Sequence, residues 1–400
     1  MVGLKRFPLT VIVAFAALIA CGASATSGVD GGSAVTDAGK GDVAKTTTDA
    51  GKTGDDSGHD EGDAATSAVA DASADHHVSP GDDAGTVDAH TADSGEGGAQ
   101  LADGGVPDPN APGPYTYAEL DDTMSVAASG DTGVAIHCAY PTSGPTKGPY
   151  PVIVFAHGDE LPPSEYYGYL QRLASFGYVA LTVDFPTPLF TTDNPGEAED
   201  LIAGLDWTQS NTTVASVADP TTTGMTGHSL GGKEALLAAT MDTRVKASIV
   251  LDPVDSAGGM TCTAPDCVTV ATLLPALPIP TGFLGETTDG TGGVGGMPCA
   301  PVAENYATFY AKATSPSFQL TVTNAGHMSF LDDMSSCGLA CSLCTAGTAS
   351  NAEVDGMAHA YVAAFFERYL RGNLAYDAYL TGAEAQARYI STNEATLVSK

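Results

Sequence analysis

A serine flanked by glycines offers the clearest chemistry in this sequence. Residues 227–231 read Gly-His-Ser-Leu-Gly, the Gly-x-Ser-x-Gly pattern in which a serine occupies a sharp turn between a strand and a helix. The strained backbone of such a serine tolerates only small neighbours, which Gly227 and Gly231 supply. A helix expected from Leu230 to Thr240 would place its positive N-terminal end beside Ser229 and favour an anion there. The pattern therefore predicts a nucleophilic Ser229.

A serine hydroxyl is a poor nucleophile at neutral pH and needs a base within hydrogen-bond reach. Histidine is the usual base because its ordinary pKa lies near the working range. His157 and His228 belong to a turn after a predicted strand and to the serine turn itself. His137 lies in an early predicted strand and His359 on the last predicted helix. His327 follows the last of the predicted strands that alternate with helices from residue 149 onward. We therefore predict His327 as the base.

The imidazole of that base in turn needs a carboxylate that fixes its tautomer and stabilises its charged form. Three aspartates follow predicted strands at suitable points of the chain: Asp252, Asp255 and Asp289. The residues alone leave this choice open.

Two backbone N–H groups are candidates for holding an oxyanion. They belong to Asp159, which follows His157 and Gly158, and to Leu230, which follows the serine. An acidic side chain aimed at a developing oxyanion would raise the barrier. We therefore expect the Asp159 and Glu160 side chains to face solvent, with only the backbone of Asp159 contributing.

Buried strands and helices alternate from residue 149 onward, which predicts an α/β fold with a doubly wound, mostly parallel sheet flanked by helices. Ligands bind such sheets at the carboxyl ends of the strands, and the candidate residues all follow strand ends. The predicted strands are 151–156, 178–183, 221–226, 245–251, 279–284 and 317–323; the predicted helices are 165–176, 200–208, 230–240 and 358–371. Residues 161–169 and 184–194, rich in Pro, Phe and Tyr, are expected to line the pocket.

The N-terminal part predicts export. Lys5 and Arg6 precede an apolar run over 9–20 that is too short to span a bilayer, and Cys21 follows as in a bacterial lipoprotein box, where the cysteine is acylated. Residues 22–112 contain no Phe, Tyr or Trp and carry 18 acidic and 3 basic residues. Such a segment cannot bury enough apolar surface to offset the entropy lost on ordering, so we expect it to remain disordered. The expected organisation is a signal over 1–21, an acidic tether over 22–112 and a catalytic domain over 113–400.

The formal net charge of −33 argues against nucleic acid as a partner. Membrane contact is expected only through the N-terminal lipid anchor. The sequence predicts no organic cofactor, because no dinucleotide-binding or phosphate-binding glycine pattern is present. It also predicts no resident metal, since no histidine lies at ligand spacing from the cysteine cluster. Asp332 and Asp333 could bind calcium, but solvated or helix-capping carboxylates are the commoner explanation for such a pair.

Seven cysteines follow Cys21, and in an oxidising compartment they favour disulfides over zinc. A local bridge is expected between Cys262 and Cys267, and Cys138 is the candidate for a buried spare thiol. A bridge from the later cluster, for example to Cys299, would either clamp the loop that carries His327 or simply staple a Gly/Ser/Ala-rich surface loop, which is the commoner case. That cluster consists of Cys337, Cys341 and Cys344.

Four stretches together resemble the chlorophyllase group of α/β-hydrolases, with platelet-activating-factor acetylhydrolases and dienelactone hydrolases as wider relatives. The resemblance covers about residues 115–375 and implies an α/β-hydrolase fold with a Ser-His-Asp triad. In that group the aspartate of an Asp-Pro-Val stretch is the triad acid, which here is Asp252. The stretches are His157-Gly158 with 166–184, residues 227–233, residues 251–255, and residues 326–333.

One departure from the group bears on the substrate. Chlorophyllases carry an arginine directly after the serine, where this chain has Leu230, which argues against a chlorophyll-type substrate. The sequence thus predicts an exported or surface-tethered serine esterase acting on a small-molecule or lipid-like ester. The alternatives are a lipase or cutinase-like polyester hydrolase, and a binding lipoprotein that has lost its catalysis.

Overall fold

The computed structural model describes residues 105–186, 193–255, 265–335 and 337–400. The expected signal segment, Cys21, most of the expected tether and Cys262 lie outside this part of the chain, as do residues 187–192 of one expected pocket segment. Within it, every helix is too short or too polar to cross a membrane.

A single nine-stranded sheet forms the centre of the described domain. Its strand order is β1-β2-β4-β3-β5-β6-β7-β8-β9, parallel from β4 through β8 and antiparallel where β1, β2 and β9 join. The strands are β1 Thr116–Ser125, β2 Thr132–Ser143, β3 Tyr150–Ala156, β4 Val179–Asp184, β5 Ala218–His228, β6 Val245–Leu251, β7 Thr281–Glu286, β8 Ser317–Val322 and β9 Ala395–Ser399. The prediction of an α/β-hydrolase fold is confirmed.

Helices cover both faces of the sheet, because the inner strands are apolar on both sides. In β3, Ile153 and Phe155 point into one core and Val152 and Val154 into the other. The helices are α1 Tyr167–Ser175, α2 Asn194–Ser210, α3 Leu230–Met241, α4 Tyr306–Lys312, α5 Gly338–Leu343, α6 Asn351–Tyr369, α7 Asp377–Leu380 and α8 Ala383–Ala385. Helices α1 and α6 bury residues in the first core, and α2, α3 and α4 in the second.

The inner elements match the predicted ones closely, and the differences have local causes. Helix α2 begins at Asn194, six residues before the expected start, because the side chain of Asp193 accepts from the N–H of Gly196 and a proline occupies the first turn. The expected helix over 165–176 is split into a 3-10 turn, Pro163–Tyr166, and α1.

The folded domain begins before residue 113. The Arg388 guanidinium pairs with Asp108 at 2.9 Å, and the hydroxyls of Tyr376 and Tyr389 donate to Pro107 O and Asn110 Oδ1. The predicted tether over 22–112 includes these N-terminal residues, and their partners lie in the 3-10 turn Leu374–Tyr376 and the π-helical turn Gln386–Ile390.

Candidate active site

Ser229 occupies the turn between β5 and α3 with a left-handed backbone conformation, φ 57° and ψ −124°. Such a conformation is costly for a residue with a side chain and persists only where the surroundings enforce it. A Cβ on Gly227 would lie 2.5 Å from Gly231 O, and one on Gly231 would lie 2.2 Å from His157 O. The two flanking glycines therefore allow the close approach of α3 to the end of β3, as the sequence pattern predicts.

The structure brings the predicted serine, histidine and aspartate into one line. Ser229 Oγ lies 2.8 Å from His327 Nε2, and His327 Nδ1 lies 2.7 Å from Asp252 Oδ2. Each residue follows the carboxyl end of a strand, β5, β8 and β6 respectively. This arrangement can pass a proton from the hydroxyl to the imidazole while the carboxylate holds the imidazole in one tautomer.

Burial and the short hydrogen bond shape the titration of this pair. Burial alone would lower the pKa of His327, but the hydrogen bond and charge of Asp252 outweigh it, so the pKa is raised above 6.5. Burial raises the pKa of Asp252, and the hydrogen bond to His327 opposes that rise. Asp252 is fully buried, so its charge acts on the imidazole with little screening by water.

The two other candidate acids are engaged elsewhere. The Asp255 carboxylate accepts from the N–H groups of Val270 and Ala271 at 2.8 and 3.0 Å. The Asp289 carboxylate accepts from the backbone of Cys299 and Thr345. Of the three aspartates, Asp252 is the one that contacts His327.

The turn after β3 carries one predicted oxyanion donor, and its acidic side chains differ in exposure. Glu160 is exposed, as expected, whereas Asp159 is partly buried, so the expectation that both face solvent is wrong for Asp159. Burial, with the charge of Glu160, raises the pKa of Asp159 to about 6. Among the described residues, neither the Asp159 N–H nor the Leu230 N–H donates to a protein acceptor.

A buried hydrogen-bond chain that the sequence reading missed runs behind the serine. His228 Nδ1 lies 2.8 Å from the Tyr166 hydroxyl, and His228 Nε2 lies 2.9 Å from the carbonyl oxygen of His327. The Tyr166 oxygen also accepts from the Gly158 N–H at 3.3 Å. Burial, with the nearby His327, holds the pKa of His228 well below 6.5. His228 is therefore a neutral imidazole with both nitrogens engaged.

The cysteines near the site form two disulfides, Cys299–Cys344 and Cys337–Cys341. Cys267 is also disulfide-bonded, and Cys138 is a buried free thiol as expected. The segment after Cys344 packs on the backbone before His327, since a Cβ on Gly326 would lie 2.6 Å from Thr345 O. The Cys299–Cys344 bridge therefore supports the loop that carries the histidine.

The carboxylates of Asp332 and Asp333, for which solvated or helix-capping roles are the expectation, bind groups of the protein. Asp332 binds the Gly168 N–H at 2.5 Å and His359 Nε2 at 2.9 Å, while Asp333 is bound to the nearby Ser335. Ligand-type atoms of Asp332, Asp355 and His359 lie within 4.8 Å of one another, but His359 is ion-paired with both carboxylates. The cluster joins the loop after His327 to α1 and α6.

A doubly wound sheet with a strained serine turn after β5 and a histidine and an aspartate at its carboxyl edge defines the α/β-hydrolase class. Within that class the chain belongs to the chlorophyllase family, whose match covers residues 121–388. It is 28% identical over 281 residues to Chlorophyllase-1 of Arabidopsis thaliana, which covers 66% of this chain and 83% of that protein.

Two bacterial relatives match a shorter part of the chain. A bis(hydroxyethyl) terephthalate hydrolase of Streptomyces coelicolor is 35% identical over 141 residues, 35% of this chain and 44% of that protein. Cutinase 1 of Thermobifida cellulosilytica is 32% identical over 143 residues, 35% of this chain and 52% of that protein. The chain thus matches about half the length of each.

Proposed function

We propose that this chain is a serine esterase in which Ser229 is the nucleophile, His327 the general base and Asp252 the acid of the triad. The observation that carries the proposal is the unbroken line from Ser229 Oγ through His327 to Asp252, with contacts of 2.8 and 2.7 Å. Carboxylic ester hydrolysis agrees with the family and with the named activities of its relatives.

The reaction follows from what each group can do. His327 Nε2 takes the hydroxyl proton as Ser229 Oγ attacks the ester carbonyl carbon, and the imidazolium that forms is stabilised by Asp252. The same nitrogen then gives the proton to the leaving alkoxide, which departs as the alcohol. Water, deprotonated by His327, attacks the acyl-enzyme and releases the carboxylic acid.

The negative oxygen of the tetrahedral intermediate is assigned to the backbone N–H groups of Asp159 and Leu230. Leu230 is the first residue of α3, so its N–H has no partner within the helix and lies at the positive end of the helix dipole. Backbone donors of this kind are worth about 3 kcal/mol each in the barrier. The partly buried Asp159 carboxyl opposes this stabilisation when it is ionised, which makes its side chain a modulator of the site.

Polyester-type and lipase-type activity is the second candidate. It is favoured by the two relatives named as a bis(hydroxyethyl) terephthalate hydrolase and a cutinase, and by Leu230 at the position where chlorophyllases carry arginine. Bis(hydroxyethyl) terephthalate itself is the discriminating probe. Serine-dependent release of ethylene glycol from it would support the polyester-type reaction, and turnover of short aliphatic esters alone would support a simple esterase.

We also propose that the protein is exported and anchored through an acylated Cys21, with the acidic residues that follow acting as a tether. The supporting observation is the charged and apolar leader that ends at this cysteine. Detergent phase partitioning of the full chain expressed in a bacterium tests it, with Cys21→Ala as the control. The parent is expected in the detergent phase and the variant in the aqueous phase; the same phase for both would exclude the anchor.

The experiment that tests the enzymatic proposal is hydrolysis of p-nitrophenyl esters from acetate to palmitate by the full chain and by Ser229→Ala. Turnover by the parent and a loss of about 10³-fold or more in the variant would support the triad. The chain-length optimum separates an esterase from a lipase. Equal rates in both proteins would overturn the assignment, and the absence of turnover in folded, oxidised protein would favour a binding lipoprotein.

A further inference from the structure

The hydrogen-bond chain behind the serine links three parts of the active site that are distant in sequence. Tyr166 ends the 3-10 turn before α1, His228 ends β5, and His327 begins the turn after β8. The side chains of Tyr166 and His228 are fully buried. The hydrogen bonds between these residues therefore lie in the protein interior, where water does not compete for their donors and acceptors.

The position of each proton in this hydrogen-bond chain follows from whether the neighbouring group can donate or only accept. A carbonyl oxygen can only accept, so His228 Nε2 carries the hydrogen that binds the His327 carbonyl, at 2.9 Å. A neutral imidazole has a single N–H, so His228 Nδ1 accepts, and the Tyr166 hydroxyl 2.8 Å away donates to it. The Tyr166 oxygen then accepts from the Gly158 N–H at 3.3 Å. Every donor in the chain thus has an acceptor in one consistent direction.

The hydrogen-bond chain reaches three parts of the proposed site: the oxyanion turn at its first end, the serine turn in its middle and the histidine loop at its other end. Gly158 precedes Asp159, whose N–H is the proposed oxyanion donor. His228 precedes Ser229, and the last acceptor is the main chain of His327. The close packing at Gly158, where a Cβ would lie 3.0 Å from the Tyr166 hydroxyl and 3.2 Å from His228 Nδ1, leaves no room for a side chain that would interrupt the link.

We propose that Tyr166 and His228 are positioning residues that hold three groups at fixed separations through a neutral, Nε2-protonated His228. These groups are the Asp159 N–H, the turn between β5 and α3 that carries Ser229 (the elbow), and the backbone of His327. The side chains of Tyr166 and His228 hydrogen-bond to each other and to the backbone of Gly158 and His327, and not to Ser229 Oγ or His327 Nε2. This inference rests on the proposed function, since it assigns how that site is held. Misplacement of reacting groups by a fraction of an ångström lowers the rate of chemistry more than ground-state binding.

Tyr169 supplies a matched control for Tyr166. It is also fully buried, it lies on α1, and its hydroxyl donates to Phe330 O at 2.9 Å in the loop that carries His327. Tyr166→Phe and Tyr169→Phe therefore each remove one buried hydroxyl bonded near the same loop. Tyr166→Phe also leaves the Gly158 N–H and His228 Nδ1 without their partner. Tyr169→Phe leaves the hydrogen bonds of the turn after β3 and of the elbow intact.

The expected result is a change in kcat that thermal stability does not explain. With p-nitrophenyl butyrate, Tyr166→Phe should lower kcat by about 10-fold to 100-fold with KM changed less than about 3-fold, while Tyr169→Phe should keep kcat within about 3-fold at a similar melting temperature. Equal kcat losses in the two variants at matched stability would overturn the inference. If the parent and Ser229→Ala turned over the ester at the same rate, the proposed function itself would be overturned.

A second pair tests the link at His228 if Tyr166→Phe does not fold. The oxygen and nitrogen of a glutamine amide are bridged by one carbon, as the two ring nitrogens are, so His228→Gln can accept from Tyr166 and donate to the His327 carbonyl. His228→Leu fills similar space without either bond. The glutamine variant is expected to retain about 10-fold more kcat than the leucine variant; equal kcat values would contradict the positioning role.

Discussion

The Asp252 carboxylate and the His327 imidazole are joined by a 2.7 Å hydrogen bond, and Asp252 is fully buried. A charge in that setting acts strongly on its partner because water does not screen it. The contact fixes Nδ1 of the imidazole as the donor and leaves Nε2 to accept from Ser229. Asp252 therefore sets the tautomer that the proposed nucleophilic attack requires.

The pH dependence follows from the raised pKa of His327. The base works only when neutral, so activity should fall as pH drops through a pKa above 6.5. In Asp252→Asn the carboxylate that raises this pKa is gone, so the acid limb of kcat/KM should move to lower pH while kcat falls by about 10³-fold to 10⁴-fold. Rates from pH 5 to 9 measure both effects. An unmoved acid limb in the variant would contradict the pairing.

Asp255→Asn serves as the matched control for that prediction. Its carboxylate binds the backbone of Val270 and Ala271 and does not contact His327. The variant is expected to lose some stability and to keep the acid limb of the parent. A collapse of kcat in Asp255→Asn with normal rates in Asp252→Asn would reverse the choice of acid.

The elbow glycines give a prediction about stability. A methyl group on Gly231 would lie 2.2 Å from His157 O, so Gly231→Ala should lower the free energy of unfolding by more than about 2 kcal/mol and reduce kcat. Gly356 on α6 has no atom within 4 Å of an added Cβ. Gly356→Ala should therefore be neutral or stabilising by up to about 1 kcal/mol. Urea unfolding of both variants decides; equal stability would show that the elbow tolerates a side chain.

The Cys299–Cys344 disulfide predicts a redox dependence. It closes a sequence separation of 45 residues, for which the chain-entropy estimate is about 4 kcal/mol of stabilisation. The Cys299→Ser/Cys344→Ser variant should lose stability and part of its kcat, because residues after Cys344 support Gly326 beside the base. The pair Cys337→Ser/Cys341→Ser opens a separation of only 4 residues and should lose less. Equal losses, measured by urea unfolding, would contradict the support of the loop by Cys299–Cys344.

Acidic side chains at the carboxyl edge of the sheet predict discrimination by charge. Glu160 and Asp184 are exposed and Asp159 is partly buried, while Lys233 on α3 is fully buried with its ammonium donating to Asn194. The mono-p-nitrophenyl ester of succinic acid should therefore show lower kcat/KM than p-nitrophenyl butyrate at low salt. The ratio of kcat/KM for the butyrate ester to kcat/KM for the succinate ester should approach one at about 1 M salt, where the Debye length is about 3 Å.

Glu160→Gln should also bring that ratio closer to one, whereas Asp333→Asn, which removes an exposed charge on the loop after His327, should change it less. Since kcat/KM for the two esters is compared within each protein, a general loss of activity does not affect the ratio. A ratio that depends on neither salt nor Glu160 would show that the acidic edge does not act on the substrate.

The inner fold could be predicted from sequence because its signals are local. Continuous apolar runs mark the parallel strands, and the Gly227 and Gly231 pattern marks the elbow. The edge strands β1 and β9 were missed because their burial is partial and their pairing depends on neighbours distant in the chain. Local sequence patterns therefore predicted the inner parallel strands but not the edge strands β1 and β9.

The site divides in the same way. Ser229 could be singled out by its glycine pattern and His327 by its position after the last predicted strand. Strand ends left Asp252, Asp255 and Asp289 open, and the resemblance to chlorophyllases selected Asp252. The structure places Ser229, His327 and Asp252 together. The bonds of His228 to Tyr166 and His327 span 62 and 99 residues, so no local pattern reveals them. The burial of Asp159 was mispredicted for a related reason, since side-chain exposure in a turn depends on the elements that pack around it.

The most direct test of the central claim is covalent trapping of the nucleophile. The full chain is incubated with a p-nitrophenyl alkylphosphonate, and the released p-nitrophenolate and the mass of the peptide carrying residues 227–231 are measured. If Ser229 is the nucleophile, the parent should release one equivalent of p-nitrophenolate and carry an adduct on Ser229, and Ser229→Ala should carry no adduct. Labelling of a different residue, or full release by the Ser229→Ala variant, would contradict it.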